Sequence, residues 1–119
     1  MQYLLMIYDD ESNWNNMSES QQSSMIERYI ALENDLKEQG IFLGSARLAD
    51  IDSATSVQVR EGKPLITDGP FAETKEQLGG YFLVDCENLD QATEIAARIP
   101  SAEQGTVEVR PLWYQDETH

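Results

Sequence analysis

The chain has 119 residues, of which 8 are Lys or Arg and 22 are Asp or Glu, so its formal net charge at pH 7 is −14. That length predicts a single domain over residues 1–119, because domains mostly contain about 100–150 residues. So few basic residues cannot form the positive surface that nucleic acids require, which argues against direct DNA or RNA binding. With 40% hydrophobic residues, the composition is that of a folded protein.

Cys86 is the one cysteine in the sequence, which excludes an internal disulfide and a cysteine-rich zinc site. Its acidic neighbours Asp85 and Glu87 are expected to raise the pKa of the thiol, so we predict an inert cysteine. The first residues, MQYLLMIYDDE, contain a short apolar run with no basic segment before it. This start fits neither a signal peptide nor a membrane span, so we expect a cytoplasmic protein without a membrane partner.

The first third of the chain predicts a strand and then a helix. Residues 3–8 form a continuous apolar run that is typical of a strand. Ser18, followed by Gln21, has the spacing of a capping box, which opens a helix. Gly40 stands where a left-handed cap residue ends one. The apolar positions between them share one helical face and are Met25, Tyr29, Leu32 and Leu36.

The remainder predicts short strands and one more helix. Residues 41–48 alternate in polarity in part and residues 55–60 do so throughout, and Glu61-Gly62-Lys63 predicts a hairpin turn into residues 64–67. Further strands are predicted at residues 81–84 and 106–113. Between these two strands, a helix is predicted to begin at the Asn88 cap and to end before Pro100. Its apolar stripe comprises Leu89, Ala92, Ile95, Ala96 and Ile99.

This order of elements is the split βαβ arrangement of a ferredoxin-like α+β domain with an antiparallel sheet. The two helices of that topology cover the same face of the sheet, yet residues 3–8 and 81–84 are apolar on both faces. The second face would exceed the apolar patch that soluble monomers expose. We therefore predict a twofold homodimer packed sheet against sheet. The alternative is that residues 9–24 and the C-terminal tail cover this face.

Residues 66–84, ITDGPFAETKEQLGGYFLV, concentrate polar and special-backbone residues between two apolar strands. Asp68-Gly69-Pro70 is a turn-forming sequence. Gly79-Gly80 enters a buried strand, where glycine weakens the strand unless backbone or ligand approaches closely. A pocket at this end of the sheet would explain both features.

Four segments of the sequence resemble the YCII-related family, and within it the subgroup named for its DGPF motif. They are MQYLLMIYDDE, LKEQG at the end of the first helix, ITDGPFAETKEQLGGYFLVD, and VEVRPL near the end, so the resemblance spans nearly the whole chain. It implies a ferredoxin-like dimeric α/β barrel. Genes of the subgroup lie near those of extracytoplasmic-function sigma factors. Some distant relatives resemble small-molecule enzymes that use a His with an Asp.

Asp68 is the position that matches the aspartate of the motif, and we expect it to act as a general base with a pKa raised by desolvation. Its alternative role is to cap the turn. Many members of the subgroup have a histidine where this chain has Tyr29, and the one histidine present is His119. Tyr29 is a candidate proton donor, or a core residue whose hydroxyl reaches the edge.

The other candidate site residues have two interpretations each. Arg47 either binds a carboxylate or phenolate of a substrate, or pairs with Asp68 or Glu73. Glu73 and Lys75 either bind polar groups of a substrate or form a solvated ion pair.

Aromatic side chains offer a surface for an aromatic ligand. Tyr8, Trp14 and Tyr81 either line such a pocket or pack in the core. The acidic cluster at residues 9–11 and the pair Asp50 and Asp52 match no calcium loop, and no phosphate-binding glycine loop is present. We therefore expect no metal and no cofactor.

Two hypotheses of function follow. The first is a small, cofactor-independent enzyme that binds an aromatic or lactone-like molecule and moves a proton with Asp68. The second is a non-catalytic module that binds a metabolite or a protein partner and is linked to extracytoplasmic-function sigma factors. The missing histidine favours the second hypothesis, and the polar motif beside an apolar strand favours the first.

Overall fold

An antiparallel sheet of four strands with helices on one face forms the body of the fold, as the computed structural model of residues 1–113 describes it. In chain order the elements are β1 (Gln2–Asp9), α1 (Glu11–Asn15), α2 (Glu19–Glu38), β2 (Phe42–Arg47), β3 (Thr55–Arg60), β4 (Lys63–Asp68), β5 (Gln77–Asp85), α3 (Leu89–Arg98) and β6 (Thr106–Pro111). The strands of the sheet lie in the order β2-β5-β1-β6, and β3 pairs with β4 alone. This confirms the predicted ferredoxin-like α+β fold.

Local signals in the sequence set the helix ends. The Ser18 hydroxyl accepts a hydrogen bond from the Gln21 amide at 3.1 Å, and the Gln21 side chain accepts one from the Ser18 amide at 2.9 Å. This is the predicted capping box. Gly40 follows α2 with φ of 72°, the left-handed conformation that favours glycine. At α3, Asn88 caps the first turn through the Gln91 amide at 2.9 Å.

The core lies between the helices and one face of the sheet. From β1 it takes Tyr3, Leu5 and Ile7, and from α2 it takes Leu32 and Leu36. The other buried core residues are Ile41, Phe82, Val84, Cys86, Ala92, Ile95, Ala96 and Ile99. Leu89, which the helical stripe included, is exposed instead because it is the first residue of α3.

Cys86 lies in this core. Burial raises the pKa of its thiol, and Asp85 adds to that rise. The predicted direction is thus confirmed, with burial as the larger cause.

The opposite face of the sheet, called the open face below, is not covered by any helix of the described chain. Its strand β1 presents Leu4, Met6 and Tyr8, which are half-buried, and β5 presents Tyr81, which is exposed. Residues 9–24 do not cover this face, because α1 lies against the cleft on the helix side. The C-terminal tail, which was the other candidate to cover this face, lies at residues 114–119, outside the described residues, and includes His119.

A two-stranded hairpin, β3–β4, follows β2 and precedes β5 along the chain and lies outside the four-stranded sheet. Its turn uses Glu61 and Gly62 with φ of 52° and 75°, the left-handed pair that suits a tight hairpin. Its apolar side chains are exposed and are Val57, Val59, Leu65 and Ile66. Within residues 1–113, no helix is both long enough and apolar enough to cross a membrane.

Candidate functional site

A cleft of about 440 Å³ lies between α2 and the sheet, at the end where β1 and β2 finish and β5 begins. Its walls are largely apolar, with Ile7, Phe82 and Leu78 from the sheet and Met25 and Ile26 from the helix. The polar and charged residues that line it are Asp9, Asp10, Glu11, Tyr29, Glu33, Ser45, Arg47, Asp50, Gln77, Ser101 and Gln104. Tyr29 and Arg47, both candidates from the sequence, therefore lie in one cleft.

The short helix α1 places an aromatic ring against Arg47. Asp10 caps this helix by accepting a hydrogen bond from the Ser12 amide at 3.0 Å. Glu11 fixes the helix to the loop after β2, because its carboxylate accepts a hydrogen bond from the Ile51 amide at 2.8 Å. As a result, the Arg47 guanidinium carbon lies 4.3 Å from the centre of the Trp14 ring, a cation–π contact.

Arg47 forms no ion pair with the described chain. The predicted pairing with Asp68 or Glu73 is wrong, since neither carboxylate lies within ion-pair distance of the guanidinium. Arg47 ends β2 and faces the cleft, whereas Asp68 and Glu73 line a different cavity. The guanidinium carbon lies over the Trp14 ring, and the N–H groups of a guanidinium lie in its own plane.

Tyr29 joins the core to the cleft. Its ring centre lies 6.2 Å from that of Phe82, and its hydroxyl is 2.6 Å from the Ser101 hydroxyl, with which it shares a hydrogen bond. Burial raises the pKa of Tyr29, and the negative charge of Asp9 adds to the rise, while the Ser101 hydrogen bonds and the Arg47 charge oppose it. The side chain is half-buried, its ring packs beside Phe82 and its hydroxyl borders the cleft, which agrees with the interpretation as a core residue. Its role as a proton donor stays a prediction.

Asp9 lies in the cleft at the end of β1, a placement that its sequence context as part of an acidic run did not predict. Its carboxylate accepts hydrogen bonds from Asn13 Nδ2 at 2.7 Å, from Gln104 Nε2 at 3.1 Å and from the Asp10 amide at 2.8 Å. On the helix side, Glu33 accepts a hydrogen bond from the Ser45 hydroxyl at 2.7 Å. These carboxylates are therefore held in place by donors of the chain itself.

Asp68 lines a second cavity, of about 470 Å³, beneath the turn that follows β4. Gly69 has φ of 96°, and its amide donates to the Ala54 carbonyl at 2.7 Å, while the Ser56 hydroxyl donates to the Gly69 carbonyl at 2.7 Å. Glu73 lines the same cavity. Asp68 itself is exposed, and its role as a general base stays a prediction.

Gln77 is the residue that lines both cavities. Its Nε2 donates a hydrogen bond to the Thr74 carbonyl. Its Oε1 is buried and has no hydrogen-bond partner in the described chain. Nothing in the sequence distinguishes Gln77, because it is one polar residue at the start of a strand.

The remaining candidates lie elsewhere. Lys75 is exposed. The Ser12 hydrogen bonds lower the pKa of the Asp10 carboxyl, and the charge of Lys75 adds a smaller contribution in the same direction. Tyr8 lies on the open face, where its hydroxyl is 3.9 Å from Met6 Sδ, and Tyr81 is opposite Met6 on the same face. Neither tyrosine lines the two cavities described above.

Gly80 shows why glycine enters β5. A Cβ at this position would lie 2.7 Å from the backbone oxygen of Ala46, whereas one at Gly79 would have no neighbour nearer than 3.9 Å. The close approach at Gly80 is thus to the backbone of β2. Among residues 1–113, no group of three or more His, Cys, Asp or Glu side chains is arranged to hold a metal ion.

Comparison with known proteins adds two findings. A family profile described as the YCII-related domain matches residues 1–115. The chain is also 36% identical over 114 residues to an uncharacterised protein of Rhizobium meliloti (strain 1021), and the match covers 94% of this chain and 92% of that protein. The profile match extends over every strand and helix that lines the cleft.

Proposed function

The chain belongs to the YCII-related family, and on that premise we propose that it binds a small molecule in the cleft between α2 and the sheet. The observation that carries this proposal is Arg47, which lies in cation–π contact with Trp14 and without a carboxylate partner at the wall of a largely apolar cleft. A volume of about 440 Å³ lies within the range of about 300–1,000 Å³ that is common for ligand pockets. The ligand is a mostly apolar molecule with one anionic group, such as a carboxylate or a phenolate.

Charge fixes where the anionic group binds. Arg47 is the one basic residue among the described residues that line the cleft, and the other charged ones are acidic. Four of these already accept hydrogen bonds from the chain, namely Asp9, Asp10, Glu11 and Glu33. An anion would be repelled along the acidic wall and attracted to the guanidinium, which binds carboxylates through paired N–H groups. The ligand is therefore oriented with its anionic end at Arg47.

The test uses benzoate, 4-methylbenzoate and uncharged benzyl alcohol, with isothermal titration calorimetry on the wild type and on Arg47→Met. We expect the carboxylates to bind the wild type and the alcohol to bind more weakly. Hydrogen bonds to charged groups contribute about 1.5–3 kcal/mol, so Arg47→Met should weaken carboxylate binding by at least about tenfold. Arg60→Met, at an exposed position on the hairpin, is the matched control and should leave binding unchanged.

Two results would contradict the proposal. One is that neither carboxylate binds the wild type. The other is that both bind Arg47→Met and the wild type equally well.

Catalysis by Asp68, and membership of the DGPF-motif subgroup, are finer proposals. Proton transfer by Asp68 would place the reacting atoms in the second cavity, beside Glu73, rather than beside Tyr29. A ligand anchored at Arg47 would have to reach past Gln77 to meet Asp68. The alternative function, a module linked to extracytoplasmic-function sigma factors, stays a prediction.

The open face supports a further part of the proposal, a homodimer packed sheet against sheet. Leu4, Met6 and Leu83 lie on this face and Tyr81 is exposed on it, an apolar surface that a second copy would cover. Sedimentation of the wild type should give twice the 13.5 kDa mass of the chain. Sedimentation at the mass of the single chain, at every protein concentration tested, would contradict the dimer.

A further inference from the structure

We propose that the β3–β4 hairpin is a dimerisation arm, which packs its apolar face against a second copy of this chain beside the open face. The apolar face of the hairpin is defined by Val57, Val59, Pro64 and Ile66. This inference rests on the proposed homodimer, and it concerns a segment that lines no part of the Arg47 cleft.

The pairing of the two strands separates an apolar side of the hairpin from a polar one. Residues directly opposite each other in an antiparallel ladder point to the same side. Val57 pairs with Ile66 and Val59 pairs with Pro64, so these four apolar side chains lie together. The alternate residues form the other side and are Ser56, Gln58, Arg60, Lys63, Leu65 and Thr67. One apolar and one polar side is typical of strands whose apolar side is covered.

Within residues 1–113, nothing covers the apolar face of the hairpin. Val57, Val59 and Ile66 are 61%, 60% and 68% exposed. Ser56, on the polar side, is the one residue of the two strands that is not exposed. β3 and β4 pair with each other and with no strand of the main sheet. A two-stranded hairpin is at best marginally stable in water and needs a further strand or a packing surface, so we expect its cover to come from outside the described residues.

Residues 114–119 are too few to provide that cover. β6 is the edge strand opposite β2, and its last residue, Pro111, pairs with Tyr3 near the start of β1. Arg47, the last residue of β2, lies in register with Ile7 near the end of β1. The hairpin therefore follows the diagonally opposite corner of the sheet, roughly 20 Å away. Fully extended, residues 114–119 span about 20 Å, which reaches no further than the base of the hairpin.

The hairpin carries no net charge, unlike the chain as a whole. Its two cations, Arg60 and Lys63, balance its two carboxylates, Glu61 and Asp68. Two copies of a chain with a net charge of −14 repel each other, so their association is favoured at surfaces where the acidic charge is balanced. The hairpin is such a surface.

The open face is balanced in the same way. The carboxylates that its described strands present are Asp85 and Glu108. Asp85 pairs with the amino terminus of Met1 at 2.8 Å, and Glu108 pairs with Arg110 at 3.4 Å. A second copy therefore meets little repulsion across the open face and the hairpin, which favours this chain itself as the occupant.

The open face alone is small for a stable dimer. Every second residue of its four strands points to this side, which gives roughly 15 residues. A stable interface takes about 20–30 residues from each partner. The apolar side of the hairpin adds about six residues, so the arm brings the interface into that range.

The test compares two neighbouring substitutions on β4, Ile66→Thr on the apolar face and Leu65→Thr on the polar side. Both side chains are exposed, at 68% and 50%, so neither change should disturb the fold of a single copy. In sedimentation equilibrium, Ile66→Thr should raise the dissociation constant of the dimer at least about tenfold, because the isoleucine of each copy is lost from the interface. Leu65→Thr is the matched control and should leave the constant within about twofold.

Hydrogen exchange of the wild type gives an independent measurement. The amides of residues 55–68 should exchange more slowly as the protein concentration rises through the dissociation constant, because contact with the second copy stabilises the hairpin.

The outcomes separate the arm from the dimer. If the wild type dimerises but Ile66→Thr dimerises as well as Leu65→Thr, the arm is overturned and the dimer stands. Exchange of residues 55–68 that is independent of protein concentration, in a wild type that dimerises, would overturn the arm as well. If the wild type sediments as a single chain at every concentration, the dimer and the arm both fail, and the cover of the hairpin would be a different protein. Ligand binding at Arg47 is tested separately and does not depend on these results.

Discussion

The two faces of the four-stranded sheet are about equally apolar in sequence, but their surroundings differ. On β1, Tyr3, Leu5 and Ile7 are buried beneath the helices, whereas the alternate residues Leu4 and Met6 are only half-buried on the open face. Alternation along a strand assigns residues to faces, but the connections decide which face the helices cover, because both crossovers of a split βαβ fold pass on the same side. The covered face is therefore the stability core and also forms one wall of the cleft.

The largest effect that follows from this difference is the contrast between Leu5→Ala and Leu4→Ala. Leu5 is fully buried, so its truncation should lower the free energy of unfolding by about 2–5 kcal/mol. Leu4 is adjacent and half-buried, so its truncation should cost about 1 kcal/mol or less. Urea unfolding at low protein concentration measures both.

Equal losses in the two variants would contradict the assignment of the faces. Repeating the unfolding measurement at several protein concentrations tests the dimer as well, because a dimer that forms through the open face is stabilised by mass action. The cost of Leu4→Ala should therefore grow with protein concentration, and the cost of Leu5→Ala should change less.

A smaller loss of stability is expected from a substitution at Gly80, where β5 lies close to the backbone of β2. In Gly80→Ala, the new methyl group would lie 2.7 Å from the Ala46 oxygen, so β2 must shift, at a cost of about 1–3 kcal/mol. Gly79→Ala is the matched control, since its nearest neighbour would be at 3.9 Å and the change should stay within about 0.5 kcal/mol. Thermal unfolding of both variants measures the costs, and a cost for Gly79→Ala as large as that for Gly80→Ala would contradict the close approach.

Local sequence signals predicted most of the fold. The Ser18 capping box, the Gly40 cap and the Asn88 cap act within a few residues, so the sequence alone reveals them. The short helix α1 was missed because a polar stretch of five residues has no apolar period, although Asp10 was an available N-cap signal.

The site was less predictable because its members come from distant parts of the chain. Charge and residue type favoured an ion pair of Arg47 with Asp68 or Glu73, but the partner in the structure is Trp14 from the unpredicted helix. Residues 66–84 looked like parts of one pocket, yet Asp68 and Gly80 line different cavities. The sequence shows which residues lie near the end of a strand. Which cavity each side chain faces depends on the register of the strands, which the sequence does not show.

The smallest expected effect concerns Tyr29, at the border between the covered face and the cleft. Burial raises the pKa of Tyr29 in the folded state above that of the unfolded chain, which is about 10. Since the folded state then holds its proton more tightly, the contribution of this group to stability is present below about pH 10 and is lost as the pH rises through the folded-state pKa.

The comparison of wild type with Tyr29→Phe isolates this contribution. Near pH 8, Tyr29→Phe should be less stable by about 0.5–1.5 kcal/mol, because the hydrogen bond with Ser101 is lost. Between pH 8 and pH 11 the difference should shrink, since only the wild type loses stability through the pKa of Tyr29. Ser101→Ala is the control: it removes the same hydrogen bond but keeps the buried phenol, so its stability should still fall with the wild type over this pH range. If the difference in stability between wild type and Tyr29→Phe stays constant up to pH 11, the phenol of Tyr29 is exposed to solvent. The covered face of the sheet would then not extend as far as Tyr29.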